Sequence, residues 1–278
     1  MSSTRDMRVA RLIVAVASIA ATGVASAETV LITGANSGLG LEFAKQYAAK
    51  GWTVIATHRR REVPETLAEL VAKYPKVRVE TLDVTDLEQA KALAAKLADV
   101  PIDILVNNAG VYNDRSGCAS GDDACRGSYE TQTFGKMDFA LLDTIMDVNV
   151  KGPLIVSQTF YPNVKASTLK KIVAISSSNG TITGELPNPW PGAMFYRMSK
   201  AALNREMQIV ASSVKADGVT VVILNPGPTL TEHQEFLRGN PIMLEMSFTV
   251  GHMIDTIAKT TLTDTGQFWR YDGVPEKW

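Results

Sequence analysis

At 278 residues, with 45% hydrophobic and 21% charged residues, the chain has the make-up of a single globular α/β domain. A formal net charge of -1, with no Lys/Arg-rich run or aromatic-basic stripe, argues against a nucleic-acid partner. Three histidines and two cysteines, none at metal-ligand spacing, argue against a zinc or iron enzyme.

The first 27 residues read as a secretory signal. Arg5, Arg8 and Arg11 precede the apolar run LIVAVASIAATGV, and Ala25-Ser26-Ala27 offers the small residues a signal peptidase needs. The run is short and Ala-rich for a membrane span, which wants about 20 apolar residues. The competing readings are an uncleaved anchor or a start placed too far upstream. The expectation is an exported mature chain of residues 28–278 with no membrane contact.

From Thr29 onward short apolar runs alternate with helical patterns. TVLIT reads as a strand, and Gly38 to Lys50 as a helix with Leu41, Ala44 and Ala48 inward. TVIAT is a second strand, followed by a helix from about Pro64 to Tyr74, and VRVETL is a third. VTDLEQAKALAAKLA reads as a helix opened by a Thr85–Glu88 capping box, and DILVNN as a fourth strand. DFALLDTIMDVNVKGPLIVSQTFYPNV reads as one long helix kinked at Gly152 and Pro153. KIVAIS is a fifth strand, YRMSKAALNREMQIVASSVKA a long helix, and VTVVILN a sixth strand. A helix near Met246 to Thr261 leads to a seventh strand, GQFWRY. Unbroken apolar strands alternating with helices predict a doubly wound, Rossmann-type parallel sheet of about seven strands, covered on both faces, in one domain.

TGANSGLG, Thr33 to Gly40, falls between the first strand and the first helix. Glycines there let the backbone turn tightly and approach a pyrophosphate at the positive helix N-terminus. A glycine-rich turn alone also serves purely for shape, and Gly34-xxx-Gly38-x-Gly40 departs from G-x-G-x-x-G. Further motifs follow in order: NNAG at Asn107 to Gly110, Asn149, SSS at Ser176 to Ser178, Tyr196-xxx-Lys200, and NPG at Asn225 to Gly227. Together they resemble the short-chain dehydrogenase/reductase family from Glu28 to the end. GQFWRYDG looks like its carbonyl-reductase-like, C-factor/sniffer-type branch.

The resemblance implies a dinucleotide site made by Gly34, Asn36, Ser37, Gly38, Leu39 and Gly40, by Asn107, Ala109 and Gly110, and by Pro226, Gly227, Thr229 and Thr231 beside the nicotinamide. Asp83 and Val84 match its adenine-contacting pair, although Asp83 equally suits a helix start beside Thr85. The segment after the second strand, VIATHRRR, holds no acid to bind ribose hydroxyls. A guanidinium suits a 2′-phosphate, so NADP is expected over NAD, with Arg59 the first candidate and Arg60 the second. Ser37 leans the other way, since NADP-preferring relatives often carry a basic residue there. The bland alternative is that these arginines are solvated loop.

Tyr196 and Lys200, four apart, share one helix face. A phenol titrates near pH 10, and a nearby ammonium should lower its pKa toward neutrality. The resemblance makes Tyr196 the proton donor and acceptor, and gives Lys200 a second role on the nicotinamide ribose. It also aligns Ser177 with the hydroxyl that polarises the substrate carbonyl, with Ser176 and Ser178 as alternatives, and gives Asn149 a proton-relaying water. The alternative for Asn149 is a polar residue relieving the helix kink. The implied reaction is hydride transfer between NADP(H) and a small-molecule carbonyl or secondary alcohol. The rival is a non-catalytic dinucleotide sensor or secreted signalling protein on the same fold.

Two stretches depart from the family pattern. SNGTITGELPNPWPGAMF, before Tyr196, is expected to form a substrate wall with Thr231 to Phe248, and Trp190, Phe195, Phe236 and Met243 would make it apolar. An insertion at about 112–135 contains Cys118 and Cys125, which an oxidising compartment would join as a disulfide. A homo-oligomer is left open.

Overall fold

The computed structural model describes residues 27–112, 129–183, 192–232 and 237–278. Residues 1–26 of the signal segment, Cys118, Cys125, Trp190 and Phe236 therefore lie outside the described residues.

Each run rich in Val and Ile becomes a strand: β1 (Thr29–Ile32), β2 (Thr53–His58), β3 (Val77–Thr81), β4 (Ile104–Asn107), β5 (Lys171–Ile175), β6 (Thr220–Asn225) and β7 (Phe268–Arg270). They pair in parallel throughout, in the order β3-β2-β1-β4-β5-β6-β7. The helices are α1 (Gly38–Ala49), α2 (Glu65–Lys73), α3 (Leu87–Lys96), α4 (Phe139–Met146), α5 (Gly152–Lys165), α6 (Met194–Val214) and α7 (Met246–Lys259).

The pleat divides the core in two. Val30, Ile32, Val54 and Val106 cluster with Phe43 and Tyr47 of α1, Leu67 of α2 and Met253 of α7. Leu31, Ile55, Leu105 and Ile172 cluster with Leu93 of α3, Phe160 of α5 and Met207 of α6. Strand order reverses between β1 and β4, and the chain leaves their carboxyl ends in opposite directions. Such a crevice is where doubly wound sheets bind ligands.

Two local expectations are corrected. Thr85 does not cap α3: its N–H and hydroxyl both donate to Asp83 Oδ1, at 2.9 and 2.8 Å, and Asp86 takes the N-cap, accepting from Gln89 N–H at 2.9 Å. Asp83 draws Thr85 into a turn, and a carboxylate is a better cap than a threonine hydroxyl. Glu88, freed from a capping box, pairs with Lys91 at 2.8 Å. The long helix is also not one α-helix. A π-helical turn over Asp147–Lys151 separates α4 from α5. Pro153 has no N–H to give the Asn149 carbonyl, and the Gly152 N–H bonds back to Asp147 O instead. Gly152 also lies where a Cβ would sit 2.8 Å from Val84 Cγ2, so the turn packs directly on the segment after β3.

The edge strand β7 is covered by its own continuation. Arg270 N–H donates to Val274 O and Glu276 N–H to Phe268 O, each at 2.8 Å, which removes a pairing edge from solvent. Trp278 packs on Phe268 with ring centroids 5.6 Å apart. Its main-chain oxygen accepts from Thr183 N–H at 2.6 Å, tying this segment to the chain that follows β5.

Candidate active site

The loop from Thr33 to Gly40 is locked to the end of β4. Thr33 Oγ1 accepts from the N–H groups of Asn108 and Ala109 at 3.0 Å, and Asn108 Nδ2 donates to the carbonyls of Thr33 and Gly34 at 2.9 and 3.2 Å. Gly34 (φ 64°) and Gly38 (φ 55°) take the left-handed conformation that glycine adopts freely. Ser37 stands at the N-cap of α1 but makes no side-chain cap bond, and the first turn holds no acidic residue. The orphan N–H of Gly38 is instead given a carboxylate, Glu232 Oε1 at 3.1 Å. The turn thus presents glycine backbone and a helix N-terminus that accepts an anion, as a dinucleotide pyrophosphate requires.

Asn36 carries its carbonyl toward α2, accepting from Thr66 Oγ1 at 2.9 Å, and Leu39 packs on the core face of α1. Asn107 is turned inward, donating to Ser157 Oγ at 2.9 Å. Asn108 is therefore the residue of the NNAG motif that holds the glycine loop. Arg59 and Arg60 are exposed just past β2, at the end of the crevice where Asp83 and Val84 follow β3. His58, between them and the core, is buried with no hydrogen-bond partner on either ring nitrogen. Burial, and then Arg60, hold its pKa below the usual value. Beyond β6, Gly227 has φ 70° and a Cβ there would lie 3.0 Å from the Tyr271 ring. Thr229 is buried with its hydroxyl donated to Pro226 O at 2.8 Å, and Thr231 is half-buried beside it.

Ser177, Tyr196, Lys200 and Asn149 come together where β4, β5, α6 and the π turn meet. The three serines separate cleanly: Ser176 Oγ donates to Asn204 Oδ1 at 2.5 Å inside the core, Ser178 begins a 3₁₀ turn, and Ser177, whose Oγ accepts from Asn179 N–H at 3.1 Å, is the one that pulls the Tyr196 phenol pKa down. Gly180 makes this approach feasible, since a Cβ there would lie 2.6 Å from the backbone carbonyl carbon of Lys200. Lys200 Nζ donates to Ile175 O at 2.9 Å and lies 5.6 Å from the centre of the Tyr196 ring. Asn149 clamps Val111 with two 2.8 Å bonds, to its N–H and its C=O, and donates to Ser199 Oγ at 3.0 Å. Asn149 thus joins the loop after β4 to α6. A Cβ on Gly110 would fall 3.4 Å from Asn149 Oδ1 and 3.8 Å from Lys200 Nζ, which places this backbone against both.

The electrostatics correct one expectation. Burial raises the Tyr196 pKa above that of a free phenol, and the opposing pull comes from the Ser177 hydrogen bond rather than from Lys200. Lys200 is itself buried, which brings its pKa down to about 8 and leaves it an ammonium at neutral pH. At neutral pH Tyr196 is a phenol with a proton to give. A second correction concerns Phe195: it is 1% exposed, packed with Leu141 and Ile145, and is no pocket wall. Met243 is half-buried in the segment after β6.

Gln132 escaped the sequence reading because no motif contains it. It is fully buried, accepts from Tyr196 N–H at 3.1 Å and donates to Tyr112 O at 2.8 Å. The N-cap of α6 is Ala193, in the left-handed region at φ 64°, with no side-chain acceptor to offer. Gln132 supplies one from 64 residues away, and the Tyr112 ring it fixes lies 4.7 Å from that of Tyr196. Gln132→Met should lower the stability measured by urea unfolding by about 1–3 kcal/mol, because two buried backbone groups lose a partner while the volume is kept.

The comparisons with known proteins agree with this geometry. Residues 28–241 match the short chain dehydrogenase family profile. The C-signal protein of Myxococcus xanthus is 29% identical over 190 residues, covering 68% of this chain and 99% of that one. The NADPH-bound carbonyl reductase from chicken fatty liver has a TM-score of 0.77 at 26% identity, covering 91% of this chain and 99% of its own. A short-chain dehydrogenase/reductase from Burkholderia multivorans with bound NADP has a TM-score of 0.73 at 30% identity, covering 91% and 100%. With a parallel sheet in this order and these motifs at its carboxyl edge, the chain belongs to the short-chain dehydrogenase/reductase family of oxidoreductases, and its relatives include carbonyl reductases.

Proposed function

We propose that the chain is an NADP(H)-dependent carbonyl reductase, with Tyr196 as the proton donor. The observation that carries the reading is the convergence on one phenol: Lys200 5.6 Å from its ring, Asn149 reaching α6 beside it, and Ser177 near enough to pull its pKa down. When bound, the dinucleotide supplies the hydride. The residues of the chain do the rest. The glycine loop and the α1 N-terminus would hold the pyrophosphate, and Lys200 and the backbone near Gly110 would lie beside the nicotinamide ribose. Ser177 would donate a hydrogen bond to the substrate carbonyl oxygen and orient it toward the Tyr196 hydroxyl. Tyr196 delivers its proton to that oxygen, and the ammonium of Lys200 stands close enough to stabilise the phenolate left behind.

Burial raises the Tyr196 pKa, so at neutral pH the phenol carries the proton that reduction of a carbonyl requires. Loss of the Lys200 ammonium removes what stabilises the product phenolate. Reduction assayed with NADPH should therefore hold level at neutral pH and decline as the pH passes about 8. In the same assay Tyr196→Phe should keep NADPH affinity and lose turnover by roughly 100-fold or more. Turnover within a few-fold of the parent would rule out this mechanism.

Arg59 is exposed past β2, free to meet a 2′-phosphate. Arg59→Ala should weaken NADPH binding by about 1.5–3 kcal/mol and leave NADH binding nearly unchanged, measured by titration calorimetry. An equal loss for both cofactors would make the arginine bystander surface.

The same reading has the first 27 residues direct export and Cys118 pair with Cys125 outside the cytosol. N-terminal sequencing and peptide mapping of protein from its native cell should find Glu28 first and a linked cysteine peptide. An uncut N-terminus with two alkylatable thiols would defeat both points.

A further inference from the structure

Glu232 lies 194 residues from Gly38 in sequence, yet its carboxylate rests on the N-terminus of α1, with Oε1 accepting the Gly38 N–H at 3.1 Å. Its second oxygen, Oε2, is 3.6 Å from where a Gly38 Cβ would be. The carboxylate therefore covers the face of the glycine turn that a bound pyrophosphate would approach. The helix supplies no competing anion of its own, because Ser37 makes no cap bond and the first turn lacks acid. Glu232 is exposed and comes directly after Thr231, on the segment that leaves β6 past Pro226 and Gly227.

We infer that Glu232 is an internal competitor for the pyrophosphate seat and sets the affinity of the chain for its dinucleotide. The inference rests on the dinucleotide reading of the glycine loop. A carboxylate and a pyrophosphate cannot share one N–H at the head of a helix without like-charge repulsion, so the cofactor must displace Glu232 to bind. The carboxylate stabilises the free protein through the helix dipole, and this stabilisation is given up on binding.

Glu232→Gln keeps the shape and removes the charge, and two independent readouts follow. The thermal midpoint of the free variant should fall slightly. NADPH should bind it about three- to tenfold more tightly by calorimetry. Inorganic pyrophosphate, tested alone in thermal shift, should likewise stabilise the variant more than the parent. NADPH binding by both proteins, with an equal or weaker affinity in the variant, would overturn the role of Glu232 and leave the dinucleotide reading standing. Failure of both proteins to bind any nicotinamide nucleotide would overturn that reading and the inference with it.

Discussion

At the carboxyl ends of β1 and β4 the chain passes closer to itself than any side chain would allow. A Cβ on Gly40 would lie 2.3 Å from the Gly34 carbonyl oxygen and 2.4 Å from Asn108 Nδ2. Because nothing larger than hydrogen fits, α1 begins directly against the glycine turn, and its first N–H groups face the crevice instead of the core. Thr33 and Asn108 hold that geometry with four bonds between the two strand ends. The anion seat, the direction of α1 and the placing of the loop after β4 all follow from this one crossing.

The reacting end depends on the same loop. Asn149 grips Val111, three residues beyond Asn108, and reaches Ser199 on α6. Gln132 ties Tyr112 to the backbone of Tyr196. The π turn at Asp147–Lys151 is part of this arrangement: it faces the chain after β3 through Gly152 and the loop after β4 through Asn149. A π turn at such a junction is a common way for a helix to present a functional side chain. Left-handed Ala193, at the entrance to α6, is a strained residue of the kind that concentrates near functional sites.

Burial also sets the electrostatics around Tyr196. A phenol beside a solvated ammonium would release its proton readily. Here Lys200 is buried and Tyr196 half-buried, and desolvation opposes charge on each. The result is a Tyr196 that stays a neutral phenol at neutral pH. Only the Ser177 hydrogen bond pulls the phenol the other way among the influences that set its pKa.

Much of this was written in neighbouring residues. Strand and helix periods in the chain predicted all seven strands, and the spacing of Gly34, Gly38 and Gly40 marked the turn, because the forces behind them act within a few residues. The partition of Thr85, Asp83 and Asp86 was not legible, since three adjacent polar residues offered several caps of similar worth. Nor could SSS say which hydroxyl meets Tyr196, because identical side chains are told apart only by which way the strand end points them. What the tertiary structure decided were the long-range partners: Gln132 with Tyr196, Glu232 with Gly38, and Thr183 with Trp278. It also decided the sign of the Tyr196 pKa shift. Periodicity records which residues are buried, but a hydrogen bond or a desolvated charge depends on what stands opposite, and only the folded chain determines that.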